Sequence, residues 1–485
     1  MSKTKNNRTP RRYSRETLEQ LAKSELIDII LCQQKQIETL MARVEELERR
    51  LGMNSSNSSK PPSSDPPETP AARKKKKSKR KPGGQPGHEG HWRPLLPVEE
   101  VRCVIPVKPQ TCERCNRKLH GEDPEPSRHQ VWDIPEIKPH VDEYQLHTLP
   151  CEHCGEYTTA KLPDGVPTGA FAPRLVATVA ILTGVYRMSK RTTESILADF
   201  FGIPISLGSI PVCEAIVSAA LAEPVQEARE YVQSAAILHA DETGWREMNK
   251  KAWLWAAVTS TVTVFMIHAK RGQVAAQKLL GWFSGILVSD RWGAYNIFKG
   301  LRQLCWAHLL RDFRAFSENK GKAGKIGAQL LTKAERMFHW WYRVRDGTLK
   351  RKIFQRYMKP LRADVEDLLR EGTTCGHAKM QRSCKRILKM SSWLWTFVDV
   401  ERVEPTNNAA ERAVRPAVLW RKGSFGTQSA KGSRFVERIM TAAATCRQQG
   451  RNIVEYINEA CSARLHGHPA PSLLPASDVR LARSA

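Results

Sequence analysis

Residues 54–99 constrain the fold more than any other stretch. NSSNSSKPPSSDPPETP (54–70) is dominated by Ser and Pro, and RKKKKSKRK (73–81) has eight basic residues in nine. Such composition cannot bury enough apolar surface to offset the entropy of ordering a chain. The sequence therefore predicts an N-terminal element, a linker, and folded units only after residue 100. Its 485 residues allow roughly three or four domains.

Before the linker, Ile30, Ile37, Val44 and Leu51 recur every seven residues. Leu26, Leu40 and Leu47 fill the alternate core positions, and Gln33 is the polar interruption. Between three and four heptads fit a dimerising zipper, and also an amphipathic helix packed on its own chain. The basic run offers Lys74, Lys75, Lys76, Lys77, Lys79, Arg80 and Lys81 as a phosphate-binding strap; its bland alternative is a solvated charge run. GGQPGHEGH (83–91) follows as a Gly-rich turn segment.

Charge favours the strap. Lys plus Arg is 77 against 50 Asp plus Glu, a net +27. Residues 1–100 hold 21 basic and 13 acidic residues and the remainder 56 and 37, so one basic tail does not explain the excess. A polyanionic partner, most plausibly nucleic acid, is expected. A membrane protein is not: the most apolar segment, 175–186, is 12 residues long and contains Gly184, well short of a span. MSKTKNNRTPRR at the N-terminus lacks the apolar core of a secretory signal. Twelve cysteines are too sparse for a disulfide scaffold. A soluble protein of a reducing cytoplasm is expected.

Four cysteines form two CxxC pairs, Cys112/Cys115 and Cys151/Cys154, separated by 35 residues. Four thiolates in two knuckles supply the tetrahedral ligand set of a structural Zn²⁺ and leave no open position for chemistry. After this module, residues 173–221 read as three short helices. Ser189 and Gly202 bound the middle one, which fits a helix-turn-helix as well as an ordinary bundle.

From residue 234 the pattern changes. Short apolar runs at 236–240, 252–259, 262–268, 286–289 and 302–306, with a helix at 274–282, give an α/β order with an antiparallel start. Residues 307–395 read as helices, as do 409–418 and 430–465. ILHADETGW places Asp241 at the end of one apolar strand, and GILVSDRWGAY places Asp290 at the end of another. Adjacent strands of this kind would set both carboxylates at one sheet edge. There they suit Mg²⁺ and, with a third acid, an in-line phosphoryl displacement. Glu411 in TNNAAERAVRP, on a helix among small residues, is the leading third acid; Glu404 and Glu437 are rivals. Glu242 should face away from Asp241. Arg412, Arg415, Arg421 and Lys422 lie near the acids in sequence and are candidate phosphate contacts. Cys305-Trp306-Ala307-His308 has the spacing of half a metal site, but a strand-to-helix corner explains it as well.

Together these motifs resemble the insertion sequence 66 family of bacterial transposases, its large DDE-type subunit. The resemblance runs in order through the zipper, NSSNSSKPPSSDPP, GGQPGHEGH, the paired CxxC module, HADETGW, SDRWGAY, CWAHLLRDF and TNNAAERAVRP. It implies an RNase H-like catalytic fold with a helical insertion between the second and third acids. It implies that Asp241, Asp290 and Glu411 bind catalytic Mg²⁺ or Mn²⁺. It implies cleavage at the ends of an element followed by attack of the freed 3′-hydroxyl on target DNA. Small accessory proteins of the same element, and a cytoplasmic, nucleoid-associated place in a bacterium, are also implied.

On this reading the fold class is α/β, preceded by a coiled coil, a zinc module and a helix-turn-helix-like region. The expected divisions are 1–53 zipper, 54–99 linker and basic segment, 100–160 zinc-binding module and 165–232 helix-turn-helix-like region. Then come 234–428 catalytic domain with an insertion at about 317–395, 429–465 C-terminal helices, and 466–485 tail. Partners are double-stranded DNA, as terminal inverted repeats and target, and a second copy of the chain or a higher oligomer. Two rival functions are a non-catalytic zinc-containing DNA-binding regulator, which leaves the acids unexplained, and an RNase H-like nuclease without strand transfer.

Overall fold

The computed structural model describes residues 14–51, 53–54, 57–58 and 93–475. The basic run 73–81, the segment 83–91 and residues 476–485 lie outside the described residues. A short helix α1 (Arg15–Glu19) precedes the 29-residue α2 (Lys23–Leu51). Ile30, Ile37, Leu40, Val44, Leu47 and Leu51 are all exposed on α2. Between residues 93 and 170 the strands are β1 (Thr148–Pro150) and β2 (Tyr157–Thr159), an antiparallel hairpin. No described residue before Val176 is buried.

From there the chain builds helices and a mixed sheet. In order these are α3 (Pro173–Gly184), α4 (Lys190–Phe201), α5 (Ser209–Ala220), α6 (Ala222–Ser234), β3 (Ile237–Glu247), β4 (Lys250–Val258), β5 (Thr263–His268), α7 (Gln273–Leu280), β6 (Ile286–Ser289) and β7 (Arg302–Leu304). There follow α8 (Trp306–Ser317), α9 (Gly321–Arg345), α10 (Arg351–Gly372), α11 (Ala378–Leu388), α12 (Thr396–Asp399), α13 (Asn408–Ser424), α14 (Ala430–Gln448) and α15 (Ile453–Leu465). Local signals match. Ser189 caps α4 through its side chain, and Gly202 ends it at φ 62°, the left-handed conformation Gly adopts without strain.

The five-stranded sheet has the order β5-β4-β3-β6-β7. β3, β4 and β5 are antiparallel, while β6 and β7 run parallel to β3. β3 runs to Glu247, well past the apolar run, so Asp241 lies in mid-strand rather than at its end. The reason is pairing. Asp241 to Glu247 form a ladder with Lys250 to Ala256, closed by Met248 and Asn249 at φ 49° and 61°. A two-residue turn with both residues left-handed matches the twist of a hairpin, so the strand continues where its side chains turn polar. The apolar run marks only the part of β3 that β6 also flanks.

Two clusters divide the interior. One joins the β3–β5 side of the sheet to α3, α5, α6, α7, α13, α14 and α15. The other joins Val288 and Leu304 to α8 through α12, the expected helical insertion. The outer edge, β5, is closed by α14. Thr445, Thr441 and Glu437 accept the backbone N–H groups of Thr263, Phe265 and Ile267 in turn. Four residues of helix rise about 6 Å and two residues of strand about 6.8 Å, so the two periods stay in step. An edge capped this way cannot template pairing with another strand. The segment expected to be a Pro-containing tail packs on the core where it begins: Leu473 and Leu474 are buried, and Tyr456 Oη donates to Pro471 O at 2.9 Å.

In the region read as helix-turn-helix, α5 carries no Lys or Arg and buries Ile210, Cys213 and Val217. The basic residues at the α4 start are Lys190 and Arg191, and Lys190 faces Glu214 of α5 at 3.4 Å.

Candidate active site

Register brings the first two acids together. On β3, Ile237, Leu238 and His239 pair with Ile286, Leu287 and Val288 of the parallel strand β6. Two further steps bring Asp241 level with Asp290, on chains about 4.8 Å apart. Because side chains alternate, Asp241 shares a face with His239, and Glu242 takes the other. Asp290 follows the last residue of β6, and its Oδ1 accepts the Trp292 N–H at 2.8 Å. Beneath it Arg302, fully buried, donates to Ser289 Oγ at 3.0 Å and to Asp290 O at 3.2 Å. Burial pushes the Arg302 guanidinium down to about 10. It braces the backbone of the strand end.

Asn407 sets the third acid. It is 1% exposed. Its Nδ2 donates to Ala240 O at 2.8 Å, its Oδ1 accepts from His239 Nδ1 at 3.2 Å, and its N–H points at Cys305 Sγ, 3.2 Å away. One residue thus ties the start of α13 to β3 beside Asp241 and to the β7–α8 corner. Glu411 N–H donates to Asn407 O, which places Glu411 in the first turn of α13 and within the field of Asp241. In the sequence Asn407 reads only as a helix-start signal after Pro405 and Thr406, and His239 does not stand out. A histidine inside the apolar run ILHA was the available signal.

Crowded negative charge governs the groove. The Asp241 carboxyl is held well above the ordinary carboxylate range, first by burial, then by Glu242, Asp290 and Glu411. Glu242 is raised by burial and by Asp290, while Tyr295 and Arg271 pull it back. On its own face, Glu242 accepts from Tyr295 Oη at 2.7 Å and pairs with Arg271 at 3.0 Å. Arg271 lies between Trp253 and Trp292, 4.7 and 4.2 Å from the ring centroids. Glu242 is therefore a braced structural acid. Glu437 is committed to the β5 edge and Arg434, and Glu404 is half-buried ahead of α13.

Two half-buried aspartates on neighbouring strands and a half-buried glutamate form an all-oxygen donor set that suits a hard divalent cation. Their spread is wider than a single tight cage. Among the described residues, only Cys305, His308 and Glu411 bring three ligand atoms within 4.8 Å of one another. Cys305 is buried, and burial with Glu411 pushes its thiol up to about 12. Burial also pushes His308 down, toward the neutral imidazole.

Of the basic candidates, Arg412, Arg415 and Lys422 are exposed along α13. Arg421 is occupied: its guanidinium donates to Gly244 O on β3. Lys74 to Lys81 lie outside the described residues.

Both CxxC pairs form the same knuckle. Asn116 N–H donates to Cys112 O and Gly155 N–H to Cys151 O, each at 2.8 Å, and both turn residues are left-handed at φ 57° and 78°. Backbone N–H groups of Arg114 and Cys115 lower the Cys112 thiol; those of Cys154 and His153 lower Cys151. That favours thiolates, as a zinc knuckle needs. The four sulfurs are not gathered within 4.8 Å of one another.

Two carboxylates on adjacent parallel strands, one in mid-strand and one just past a strand's end, with a third from a helix packed on the sheet, define an α/β protein with an acidic cluster whose donors suit a divalent metal. Comparison gives the family. The family model described as "Transposase IS66 family" matches residues 168–434, more than half of the chain, and spans all three acids. The chain belongs to the IS66 transposase family. A family of unknown function, DUF6444, matches residues 6–94. Two relatives come from Sinorhizobium fredii (strain NBRC 101917 / NGR234). Uncharacterized protein y4qI is 25% identical over 246 residues, 46% of this chain and 46% of its own. Uncharacterized protein y4hP is 23% identical over 420 residues, 78% of this chain and 74% of its own. The chain thus spans about half the length of the first relative. Among the described residues no helix is long and apolar enough to cross a membrane.

Proposed function

We propose that this chain is the DNA transposase of a bacterial insertion sequence, cutting element ends and joining them to target DNA. The observation that carries it is the register of β3 on β6, which levels Asp241 with Asp290, while Asn407 fixes Glu411 across from them. The sheet order, with three antiparallel strands followed by two parallel ones, supports an RNase H-like reading of the domain. Asp241, Asp290 and Glu411 would hold Mg²⁺ or Mn²⁺, which neutralises the phosphate and activates the attacking oxygen. Cations held by these carboxylates would position the scissile phosphate for in-line attack: water displaces the 3′-oxygen of the element end, and the freed 3′-hydroxyl then displaces the 3′-oxygen of a target phosphodiester. Arg412, Arg415 and Lys422, exposed along the same helix, bind the flanking backbone, and Lys74 to Lys81 strap the duplex.

The N-terminal parts serve binding and assembly. Apolar heptad positions exposed along α2 fit a parallel partner helix from a second copy. Cys112, Cys115, Cys151 and Cys154 would hold a structural Zn²⁺ that joins the two knuckles.

Cleavage of DNA carrying the element's own ends, with Mg²⁺, tests the site. Asp241→Asn, Asp290→Asn and Glu411→Gln should each abolish cutting while leaving DNA binding intact. Native activity in any one variant removes that residue from the site. Cutting without joining would point instead to a nuclease.

A further inference from the structure

Cys305 is the N-cap of α8 and His308 lies in its first turn, so the Cys-x-x-His spacing sets both side chains on one side of the helix start. Both approach Glu411. Cys305 Sγ is 3.7 Å from Glu411 Oε1, and His308 Nδ1 is 3.9 Å from the same oxygen. His308 Nδ1 is buried and has no hydrogen-bond partner. The Asn407 N–H directed at Cys305 Sγ, 3.2 Å away, is the kind of outer contact that orients a ligating sulfur. The half-site that looked solitary in the sequence is completed from 103 residues away, by a helix packed over the sheet.

We infer that Cys305, His308 and Glu411 form a second metal site, which takes a thiophilic divalent cation such as Zn²⁺ or Co²⁺. One sulfur, one imidazole nitrogen and one carboxylate match a three-ligand zinc site with an open fourth position, and match Mg²⁺ poorly. Tetrahedral bonding at ordinary zinc distances sets ligand atoms about 3.3–3.6 Å apart, so the two sides that meet at Glu411 have a few tenths of an ångström to contract, and the sulfur-to-imidazole side starts within 4.8 Å. Glu411 is shared between this site and the aspartates. A thiophilic ion here therefore draws Glu411 from the Mg²⁺-binding groove and slows Mg²⁺-dependent joining. That consequence rests on the function proposed above; the binding itself does not.

Co²⁺ titration of the full chain tests the site without DNA. Native protein should bind one more Co²⁺ per chain than Cys305→Ala, and its sulfur-to-cobalt charge-transfer absorption should exceed that of the variant, which keeps only the contribution of Cys112, Cys115, Cys151 and Cys154. His308→Ala should weaken that binding at least tenfold. Equal stoichiometry and equal absorption in native and Cys305→Ala protein would overturn the site. If Cys305→Ala does not fold, His308→Ala decides alone, and unchanged affinity there overturns it. Absence of the Cys305-dependent part of the Co²⁺ signal in a protein that joins DNA removes this site and leaves the carboxylate reading standing. A Cys305-dependent Co²⁺ signal in a protein that neither cuts nor joins supports this site and counts against that reading.

Discussion

The two halves of this molecule are held in different ways. Up to residue 175 order is local: a long helix with exposed heptad positions, two knuckles closed by their own backbone, and a three-residue hairpin. Val107, Val131 and Val141 there are each more than 80% exposed. Beyond Val176 burial dominates, with Trp255, Trp306 and Trp395 sealed inside two continuous cores. On the function proposed above, a metal, a duplex or a second chain would complete the devices of the first half. The second is a scaffold with two buried cores that carries the three acids.

The contrast is sharpest for tryptophan. Trp306 is fully buried, packs edge-on against Trp395 at 5.0 Å, and donates to Leu394 O at 2.7 Å. Trp306→Ala should cost about 3–5 kcal/mol in denaturant unfolding followed by circular dichroism. Trp132, 55% exposed, should cost under about 0.5 kcal/mol when truncated. Similar costs at both positions would break the comparison.

Acid should weaken the second half selectively. Burial holds His239 down at about 4 against an ordinary 6.5, so the folded state keeps it neutral while the unfolded chain protonates. Its contribution is complete above pH 6.5 and is lost as pH falls toward 4, to a total of about 3 kcal/mol. Asp241 and Glu242, held up in the folded state, act in the opposite sense, so the test is the difference: between pH 6.5 and 4 native protein should lose stability relative to His239→Gln.

Asn407→Ala should cost about 2 kcal/mol, because Ala240 O loses its donor in a buried setting. It should also slow joining by letting Glu411 drift. Stability lost with joining unchanged would separate Asn407 from the site. The smallest effect belongs to the first half. Cys112→Ser should lower zinc content by one ion per chain without moving the unfolding midpoint of the second half. A shifted midpoint would mean that the two halves share a core.

How much was legible follows the same division. The two knuckle turns are written in a few adjacent residues, so the sequence shows them directly; the heptad pattern falls on the exposed face of α2, and most of the linker lies outside the described residues. Strand positions are legible from apolar runs, and Asp290 falls where its run ends. The full length of β3 is not, because hairpin pairing with β4 carries it through polar residues. Asn407, His239 and the contact of Cys305 and His308 with Glu411 were invisible for a plainer reason. Each joins residues more than 100 positions apart, and nothing local encodes such a meeting. Arg421 looked like a phosphate contact until the fold placed Gly244 O against it.

Strand transfer by Asp290→Asn, with element-end binding measured on the same samples, tests most directly whether the second half does the chemistry and the first half holds the DNA. Joined product should fall at least about 1,000-fold, the equivalent of roughly 4 kcal/mol of transition-state stabilisation, while the Kd for element ends stays within about twofold. Joining at the native rate, or loss of binding together with joining, would contradict it.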